Sequence, residues 1–348
     1  MKKILFAALL LSGITMAQPN VKNVIIMIGD GMGVTQVYAG LTANHGSLNL
    51  ERATATGFSK TYSASHYITE SAAGGTAIAC GQKTKNSYIG LNANGDSIPS
   101  IMDLAHLKGI STGIVVTCEL THATPGSFSA HQKDRYMSEE IASDISRSGI
   151  DVLIGGGRNM FEKRKDGVNL SKKMQADGYK VGYSLADTAI NAGKLLLLLD
   201  STSLPVYPDR GEMLPQSVSA ALNILNKNPE GFVLMVEGSQ IDWGGHANDI
   251  NYVINEMLDF DRAIARAFDF ADKNPGTLVV VTADHETGGL ALIGGSFEEG
   301  TVDAHFAWGS HTSVMVPVFA YGAGAENFTG IYQNIDIFRK ICSLLKFK

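Results

Sequence analysis

The sequence is short of cysteine and, beyond its first 17 residues, has no long apolar run. Its three cysteines, Cys80, Cys118 and Cys342, match no zinc-ribbon spacing, and an odd number cannot all pair. We expect mostly buried thiols, with one disulfide possible. No later stretch reaches about 18 uninterrupted apolar residues, which excludes an ordinary membrane-spanning helix there.

Positive charge is also in deficit. The 348 residues include 28 Lys and Arg against 34 Asp and Glu, a net charge of −6. This balance argues against unspecific binding to nucleic acid or anionic membranes. Hydrophobic residues make up 45% and charged residues 18%, as in an ordinary globular enzyme with a large core.

Residues 1–17 resemble a secretory signal. Lys2 and Lys3 precede the apolar run 4–11, and residues 15–17 resemble a small-residue site for cleavage after Ala17. A buried first helix is the alternative. Cleavage would make the charge −8 and place the protein in the periplasm or outside the cell. No cysteine follows the run, so lipid anchoring is not expected.

Continuous Val, Ile and Leu runs alternate with helical patterns along the rest of the chain. The predicted strands are 24–28, 113–116, 152–154, 195–199, 232–236, 278–281 and 314–320, and the clearest helices are 101–108, 217–226 and 250–271. Such runs suit strands covered on both faces. We therefore predict an α/β fold, a three-layer α/β/α sandwich with a mostly parallel central sheet. No repeat or linker marks a boundary, so 18–348 is predicted to be one domain.

The stretch 233–246 carries the strongest chemical signal. An apolar strand ends at Glu237, and Asp242 and His246 follow four residues apart. One helical turn would place both on the same face, where they could bind one cation. Alone, this trio is more often a solvated turn.

Further acidic and imidazole side chains follow other predicted strands. They are Asp30, His122 with Thr124, and the pair Asp284 and His285. Open α/β sheets build ligand sites at the carboxyl ends of their strands. Several independent elements supplying Asp and His to one edge therefore predict a metal site.

Asp30 lies in Gly29-Asp30-Gly31-Met32-Gly33, which also suggests a phosphate-binding glycine loop. The third glycine of a dinucleotide fingerprint is missing, and the central acid would repel pyrophosphate. A metal ligand in a tight turn is the better interpretation.

Ser71 opens a helical stretch of small residues, 71–77. It could simply cap the helix. It could instead be a nucleophile at the positive helix end, where small neighbours admit a substrate. Ser71 does not lie in a Gly-x-Ser-x-Gly elbow, which disfavours a serine-hydrolase triad and favours activation by a metal.

Together these segments resemble bacterial alkaline phosphatases, most closely the compact enzymes of cold-adapted marine and Bacteroidetes-type bacteria. The resemblance extends from about Lys22 to the C-terminus, and its motifs occur in the family's order. They are 23–33, 69–77, 121–135, 237–246, 284–289 and His311.

The resemblance implies two zinc ions and one magnesium ion per chain. It assigns Asp242, His246 and His311 to the first zinc, Asp284, His285, Asp30 and the Ser71 oxygen to the second, and Asp30, Thr124 and Glu237 to magnesium. Imidazole suits zinc, and an all-oxygen set suits magnesium. Arg135 matches the arginine whose planar fork holds phosphate.

Three positions depart from the family pattern. Glu70 stands where an Asp usually precedes the nucleophile and orients the arginine. His122 and Trp243 replace an Asp and a Lys of the best-known enterobacterial form. We expect His122 to contact the water shell of the third metal. Trp243 lacks the lysine's charge, so phosphate should be held less tightly and leave faster.

The implied activity is hydrolysis of small phosphate monoesters through a phosphoserine on Ser71, with an alkaline pH optimum, in a homodimer. A related phosphodiesterase is the first alternative, although Thr124 and Glu237 favour a monoesterase. An exported metal- or phosphate-binding protein without turnover is the second, and the intact Ser71 disfavours it.

Overall fold

The computed structural model describes residues 20–189 and 193–347, so the predicted signal segment lies outside the described residues. Its main sheet has ten strands. They are β1 (Asn23–Gly29), β2 (Ala55–Lys60), β3 (Ser111–Glu119), β4 (Val152–Gly156), β5 (Lys180–Gly182), β6 (Leu195–Leu198), β7 (Phe232–Gly238), β8 (Thr277–Thr282), β13 (Val316–Gly322) and β14 (Gly330–Gln333).

Two small sheets complete the strand set. They pair β10 (Leu290–Ser296) with β11 (Thr301–Phe306), and β9 (Glu286–Thr287) with β12 (His311–Thr312). The helices are α1 (Val34–Ala43), α2 (Ser71–Cys80), α3 (Ile101–Leu107), α4 (Ala123–Ser129), α5 (Ser138–Ile145), α6 (Arg158–Glu162), α7 (Leu170–Ala176), α8 (Met213–Leu225), α9 (Ile241–His246), α10 (Ile250–Lys273) and α11 (Ile335–Leu344). Among the described residues, no helix combines the length and the apolarity that crossing a membrane requires.

The main sheet is ordered β14-β2-β13-β8-β1-β7-β3-β4-β6-β5. Within it only β13 opposes its neighbours β8 and β2, and the other described pairings are parallel. In the centre, Val24 of β1 pairs with Val233 of β7 on one side and Leu278 of β8 on the other. The predicted mostly parallel sheet is confirmed.

Two hydrophobic cores lie on opposite faces of the sheet, because successive side chains of a strand alternate. In β1, Val24, Ile26 and Ile28 belong to one core, and Ile25 and Met27 belong to the other. Helices α2, α3, α4, α5 and α11 contribute to the first core, and α1, α8 and α10 to the second. This arrangement confirms the three-layer α/β/α sandwich.

Every predicted strand overlaps an observed one, but the sequence missed several others. β2 alternates buried and exposed residues, and the β10–β11 hairpin is mostly exposed. Neither has the continuous apolar run on which the prediction depended. β13 begins at Val316, two residues later than predicted.

All three cysteines are free thiols, so the expectation of mostly buried thiols is confirmed. Cys80 and Cys118 are buried, and Cys342 on α11 is half-buried. Cys118 lies inside β3, one residue before its end, whereas the sequence suggested a position after the strand.

Candidate active site and metal centre

The predicted ligands converge at the carboxyl ends of four adjacent strands, β8, β1, β7 and β3. Glu237 of β7 pairs with Ile28 of β1 and with Val116 of β3. Asp30 directly follows β1, and Asp284 lies two residues past β8. Parallel pairing therefore brings acids from separate elements to one edge.

The first cluster combines Asp242, His246 and His311. Asp242 and His246 lie on the single turn of α9, and His311 comes from β12. Nε2 of His246 lies 3.0 Å from Nε2 of His311 and 3.4 Å from Asp242. His311 Nε2 lies 3.5 Å from the other oxygen of Asp242. The three side chains therefore face one point, as the sequence predicted for one cation.

The second cluster is fully buried and adjoins the first. Nε2 of His285 lies 3.4 Å from Asp30 and 3.2 Å from Asp284, and all three side chains have no exposed surface. The Ser71 hydroxyl lies 3.3 Å from the same nitrogen. His285 also stacks on His311, with ring centroids 3.6 Å apart, so the two clusters share a wall.

A third group surrounds Glu237. The hydroxyl of Thr124 donates to Asp30 across 3.3 Å, which places Thr124 beside the second cluster. On the other side, the Cys118 sulfur lies 3.4 Å from Oε2 of Glu237. Possible ligand atoms of Cys118, His122 and Glu237 all lie within 4.8 Å of one another. Sequence reasoning missed Cys118 as a ligand candidate, although its spacing of four residues from His122 was visible.

These ionisable groups are buried without enough partners for their charged forms. Burial and repulsion from Asp284, Asp242 and Glu237 raise the pKa of Asp30 well above its usual value. Burial raises the pKa of Glu237 to about 7, and burial with repulsion from Asp242 raises the pKa of Asp284 to about 7. Each of these three carboxylates has one buried oxygen without a hydrogen-bond partner.

Asp242 behaves differently. Burial alone would raise its pKa, but the hydrogen bond from His311 and the neighbouring imidazoles hold the pKa below its usual value. Elsewhere in the centre, cations would satisfy the orphaned oxygens and remove the repulsion between acids. The donor sets therefore fit metal binding.

The residue before Ser71 caps the helix that Ser71 begins. The N-cap of α2 is Glu70, whose carboxylate accepts from the backbone amides of Ala72 (3.0 Å) and Ala73 (2.9 Å). The suggestion that Ser71 itself caps the helix is therefore wrong. Its hydroxyl is left free to face His285 at the positive helix end.

Glu70 also contacts the predicted phosphate-binding arginine. Its Oε2 accepts from Nη1 of Arg135 at 2.7 Å, and both side chains are mostly buried. The longer arm of Glu70 thus reaches the guanidinium while it caps the helix. Glu70 and Arg135 therefore form a direct, mostly buried ion pair.

A cavity of about 520 Å³ opens above these groups. Its lining includes Ser71, Arg135, His122, Trp243 and His311. The rings of His122 and Trp243 meet edge to face, with centroids 6.1 Å apart. Burial, with a smaller effect of Arg135, lowers the pKa of His122 to about 4. An uncharged imidazole and an indole thus line the cavity beside Ser71 and Arg135.

Two residues that sequence reasoning did not select support the ligands. The Thr287 hydroxyl donates to Asp242, and the Thr312 hydroxyl donates to Glu286. Glu286 also accepts from Nε2 of Gln36 at 2.8 Å. These bonds fasten the β9–β12 pair, which carries His311. Thr287 and Glu286 lie in the motif 284–289, whereas Thr312 directly follows His311 and Gln36 lies in α1.

Comparison with known proteins agrees with this geometry. The sequence profile of the family described as alkaline phosphatase matches residues 21–305. Alkaline phosphatase 3 of Bacillus subtilis is 33% identical, covering 95% of this chain and 90% of that protein.

Solved structures agree as well. The alkaline phosphatase of the Antarctic bacterium TAB5 is 38% identical with a TM-score of 0.91, covering 95% of this chain and all of that one. The cold-active enzyme of a psychrophilic Shewanella species is 32% identical with a TM-score of 0.85, covering 93% and 99% of the two chains. A histidine-to-aspartate variant of the TAB5 enzyme is described with magnesium in its M3 site. The chain therefore belongs to the alkaline phosphatase family, metal-binding enzymes that hydrolyse phosphate monoesters.

Proposed function

We propose that the chain hydrolyses small phosphate monoesters through a covalent phosphoserine on Ser71. The observation that carries this proposal is the position of the Ser71 hydroxyl. It lies at the start of α2, 3.3 Å from His285, at the wall of the cavity that Arg135 also lines. A nucleophile, an anion-binding arginine and two clusters of metal-binding side chains thus meet in one place.

We further propose two zinc ions and a third divalent ion per chain. The first two clusters each contain imidazole, which suits zinc. Asp30, Thr124 and Glu237 offer oxygens for the third ion, which the family resemblance implies to be magnesium. The magnesium described in the M3 site of a variant of the related TAB5 enzyme supports a third metal site. When bound, such cations supply positive charge that favours the serine alkoxide and the departing oxygen.

The chain's own residues then account for two displacements. The Ser71 oxygen forms a bond to phosphorus as the bond to the alcohol oxygen breaks. Water next attacks phosphorus, and the bond to Ser71 breaks to release phosphate. Arg135 would orient two phosphate oxygens through its planar fork, and Glu70 would hold that fork in place.

His122 and Trp243 would line the phosphate entrance without adding a positive charge. We therefore propose that product phosphate is held weakly and released quickly. Comparing phosphate inhibition of the wild type and Trp243→Lys tests this point. Stronger inhibition in the lysine variant is expected, and unchanged inhibition would contradict the assignment.

Trapping the intermediate tests the central proposal. Wild-type enzyme quenched in acid during turnover of a ³²P-labelled monoester should carry covalent label. Ser71→Ala should carry none while retaining its zinc, because Asp30, Asp284 and His285 remain. Ser310→Ala, which alters another hydroxyl of the same cavity, is the matched control and should still label. Label on Ser71→Ala would overturn the proposal.

Two alternative functions are separated by simple assays. A phosphodiesterase would hydrolyse a diester faster than the corresponding monoester under equal conditions. A binding protein without turnover would release no alcohol from a chromogenic monoester. We expect rapid release from the monoester and slow release from the diester.

We also propose that residues 18–348 form one catalytic domain, exported after cleavage at Ala17, and that the enzyme is a homodimer. Mass spectrometry of the mature N-terminus tests the cleavage. Analytical ultracentrifugation of the mature protein tests the dimer. An uncleaved N-terminus, or a monomer at micromolar concentration, would contradict the respective proposal.

A further inference from the structure

The third group of candidate ligands contains a thiol, which is not a ligand that magnesium prefers. Cys118 is the penultimate residue of β3, and its buried sulfur lies 3.4 Å from Oε2 of Glu237. His122, at the start of α4, brings a ring nitrogen to the same place. Ligand atoms of all three lie within 4.8 Å of one another, close enough to share one ion.

Two of these side chains present polar atoms without partners. Glu237 has no exposed surface, and its Oε1 makes no hydrogen bond. Nδ1 of His122 is likewise buried and unpartnered. Leaving such atoms unsatisfied costs about 1–3 kcal/mol each, so an ion that they bind would offset a real penalty.

Chemistry decides which ion fits. Magnesium prefers six oxygen ligands in octahedral geometry and keeps several waters. Thiolate and imidazole instead favour zinc or another borderline transition metal, and Cys, His and carboxylate are its usual tetrahedral ligands. The donors around Glu237 therefore disagree with the magnesium assignment at the third site.

We propose that the third metal site of this chain binds zinc in preference to magnesium, through Cys118 sulfur, the His122 ring and Glu237. On binding, the thiol loses its proton to solvent through the half-buried His122 side, and the thiolate forms a bond to the metal. No change of oxidation state is involved. The inference depends on the proposed function only in assuming that zinc also occupies the first and second clusters.

The other buried cysteine provides an internal contrast. The sulfur of Cys80 lies 3.8 Å from the backbone oxygen of Ser127 and, among the described residues, belongs to no cluster of metal-binding side chains. Cys80→Ala therefore removes a buried thiol of the same type without touching the candidate site.

Cobalt substitution gives a readout independent of activity. Protein stripped of metal and saturated with Co²⁺ should show a thiolate-to-cobalt charge-transfer band in the near ultraviolet. The band should vanish in Cys118→Ala and persist in Cys80→Ala. A wild type without the band, or a Cys118→Ala protein that keeps it, would overturn the proposal. The wild-type spectrum decides the question even if the variant fails to fold.

Metal content provides the second measurement. After dialysis against equal concentrations of zinc and magnesium, the wild type should hold three zinc ions per chain. Cys118→Ala should hold two zinc ions and one magnesium ion. Loss of an outer-shell partner typically costs about 10–100-fold in metal affinity, so we expect loss of this direct ligand to lower the preference for zinc at the site by at least that factor. One bound magnesium in the wild type would contradict the proposal. Phosphoserine formation is measured on the same samples. Its result tests the proposed function separately from the identity of the third metal.

Discussion

Two groups of buried carboxylates in this molecule have opposite surroundings. Glu256 and Asp259 of α10 have no exposed side-chain surface and share the guanidinium of Arg210, each 2.5 Å from its Nη2. Asp30, Glu237 and Asp284 at the sheet edge are equally buried, but they face one another and each keeps an unpartnered oxygen.

The difference separates a structural from a functional use of buried charge. Burial raises the pKa of all five acids. At α10, hydrogen bonds and charge attraction from Arg210 oppose that rise, so the protein neutralises its own acids. At the sheet edge the missing positive charge must come from outside. Buried carboxylates without full hydrogen-bond partners thus distinguish the candidate active site from the Arg210 group, as expected of functional positions.

Removing the metals should produce the largest effect. We expect chelation to abolish phosphatase activity and to make stability fall with pH. Glu237 and Asp284, with pKa values of about 7 in the metal-free fold, keep protons that the unfolded chain releases near pH 4. Asp30, whose pKa is also raised, adds to this effect, whereas the lowered pKa values of His122 and His285 oppose it. With three raised carboxyl groups against two lowered imidazoles, the free energy of unfolding of the metal-free protein should decrease from about pH 4 to about pH 7.

Urea unfolding at several pH values measures this dependence. Protein reloaded with zinc and magnesium is the control and should show no such decrease, because the metals compensate the ionised carboxylates. A metal-free protein whose stability rises over the same interval would show that the acids are compensated by the protein itself. The two groups of acids would then not differ.

The second largest effect is expected from removing Arg210, the cation shared by Glu256 and Asp259. Arg210→Met leaves Glu256 buried without a cation and Asp259 with Arg262 alone, and we expect a loss of roughly 3–5 kcal/mol in the free energy of unfolding. Metal content of the folded fraction should not change. Arg339→Met, which removes an exposed ion pair with Asp336, is the control and should cost less than about 1 kcal/mol. Equal costs for the two variants would refute the distinction.

Arg135 can be compared with Arg210, because both arginines pair with buried or mostly buried carboxylates but only Arg135 lines the candidate active site. Its removal by Arg135→Ala should lower kcat/KM by the equivalent of roughly 2–4 kcal/mol, by analogy with loss of one transition-state donor. Thermal stability should change far less than in Arg210→Met, because Glu70 keeps its bonds to Ala72 and Ala73. Steady-state kinetics and melting curves on both variants test this contrast. A large stability loss with little kinetic effect would make Arg135 structural.

The smallest expected effect concerns Glu70. Its carboxylate accepts from Ala72, Ala73, Ser87 and Arg135, and the shorter Asp cannot keep all four bonds. We expect Glu70→Asp to lower kcat/KM by about 1 kcal/mol and to alter phosphate inhibition in parallel. In an Arg135→Ala background the effect on kcat/KM should largely disappear. An unchanged effect would leave Glu70 as a helix cap alone.

The sequence predicted the centre of the fold because buried parallel strands are continuous apolar runs, and the ligands follow them directly. β2 and the β10–β11 hairpin escaped prediction because half or more of their residues face solvent. The Arg210 group escaped because its members lie 46 and 49 positions apart, with no local pattern linking them. Its contacts arise only when the chain before α8 packs against α10.

The third cluster shows a different limit. Mostly buried thiols were predicted, and Cys118 is one of them, but no local pattern indicates that its sulfur faces Glu237, 119 positions away. That contact depends on the parallel pairing of β3 with β7. Likewise, the capping role of Glu70 depends on where α2 begins, and helix boundaries are the least certain part of a prediction.

The exposure of His246 bears on the kinetics of assembly. Its side chain is 39% exposed, whereas those of Asp30, Asp284 and His285 have no exposed surface. An ion held by the first cluster would therefore sit nearest the solvent and exchange fastest. An ion in the second cluster, whose carboxylate and imidazole ligands have no exposed surface, should leave after it. Stopped-flow chelation should then be biphasic, with loss of the outermost ion as its fast step.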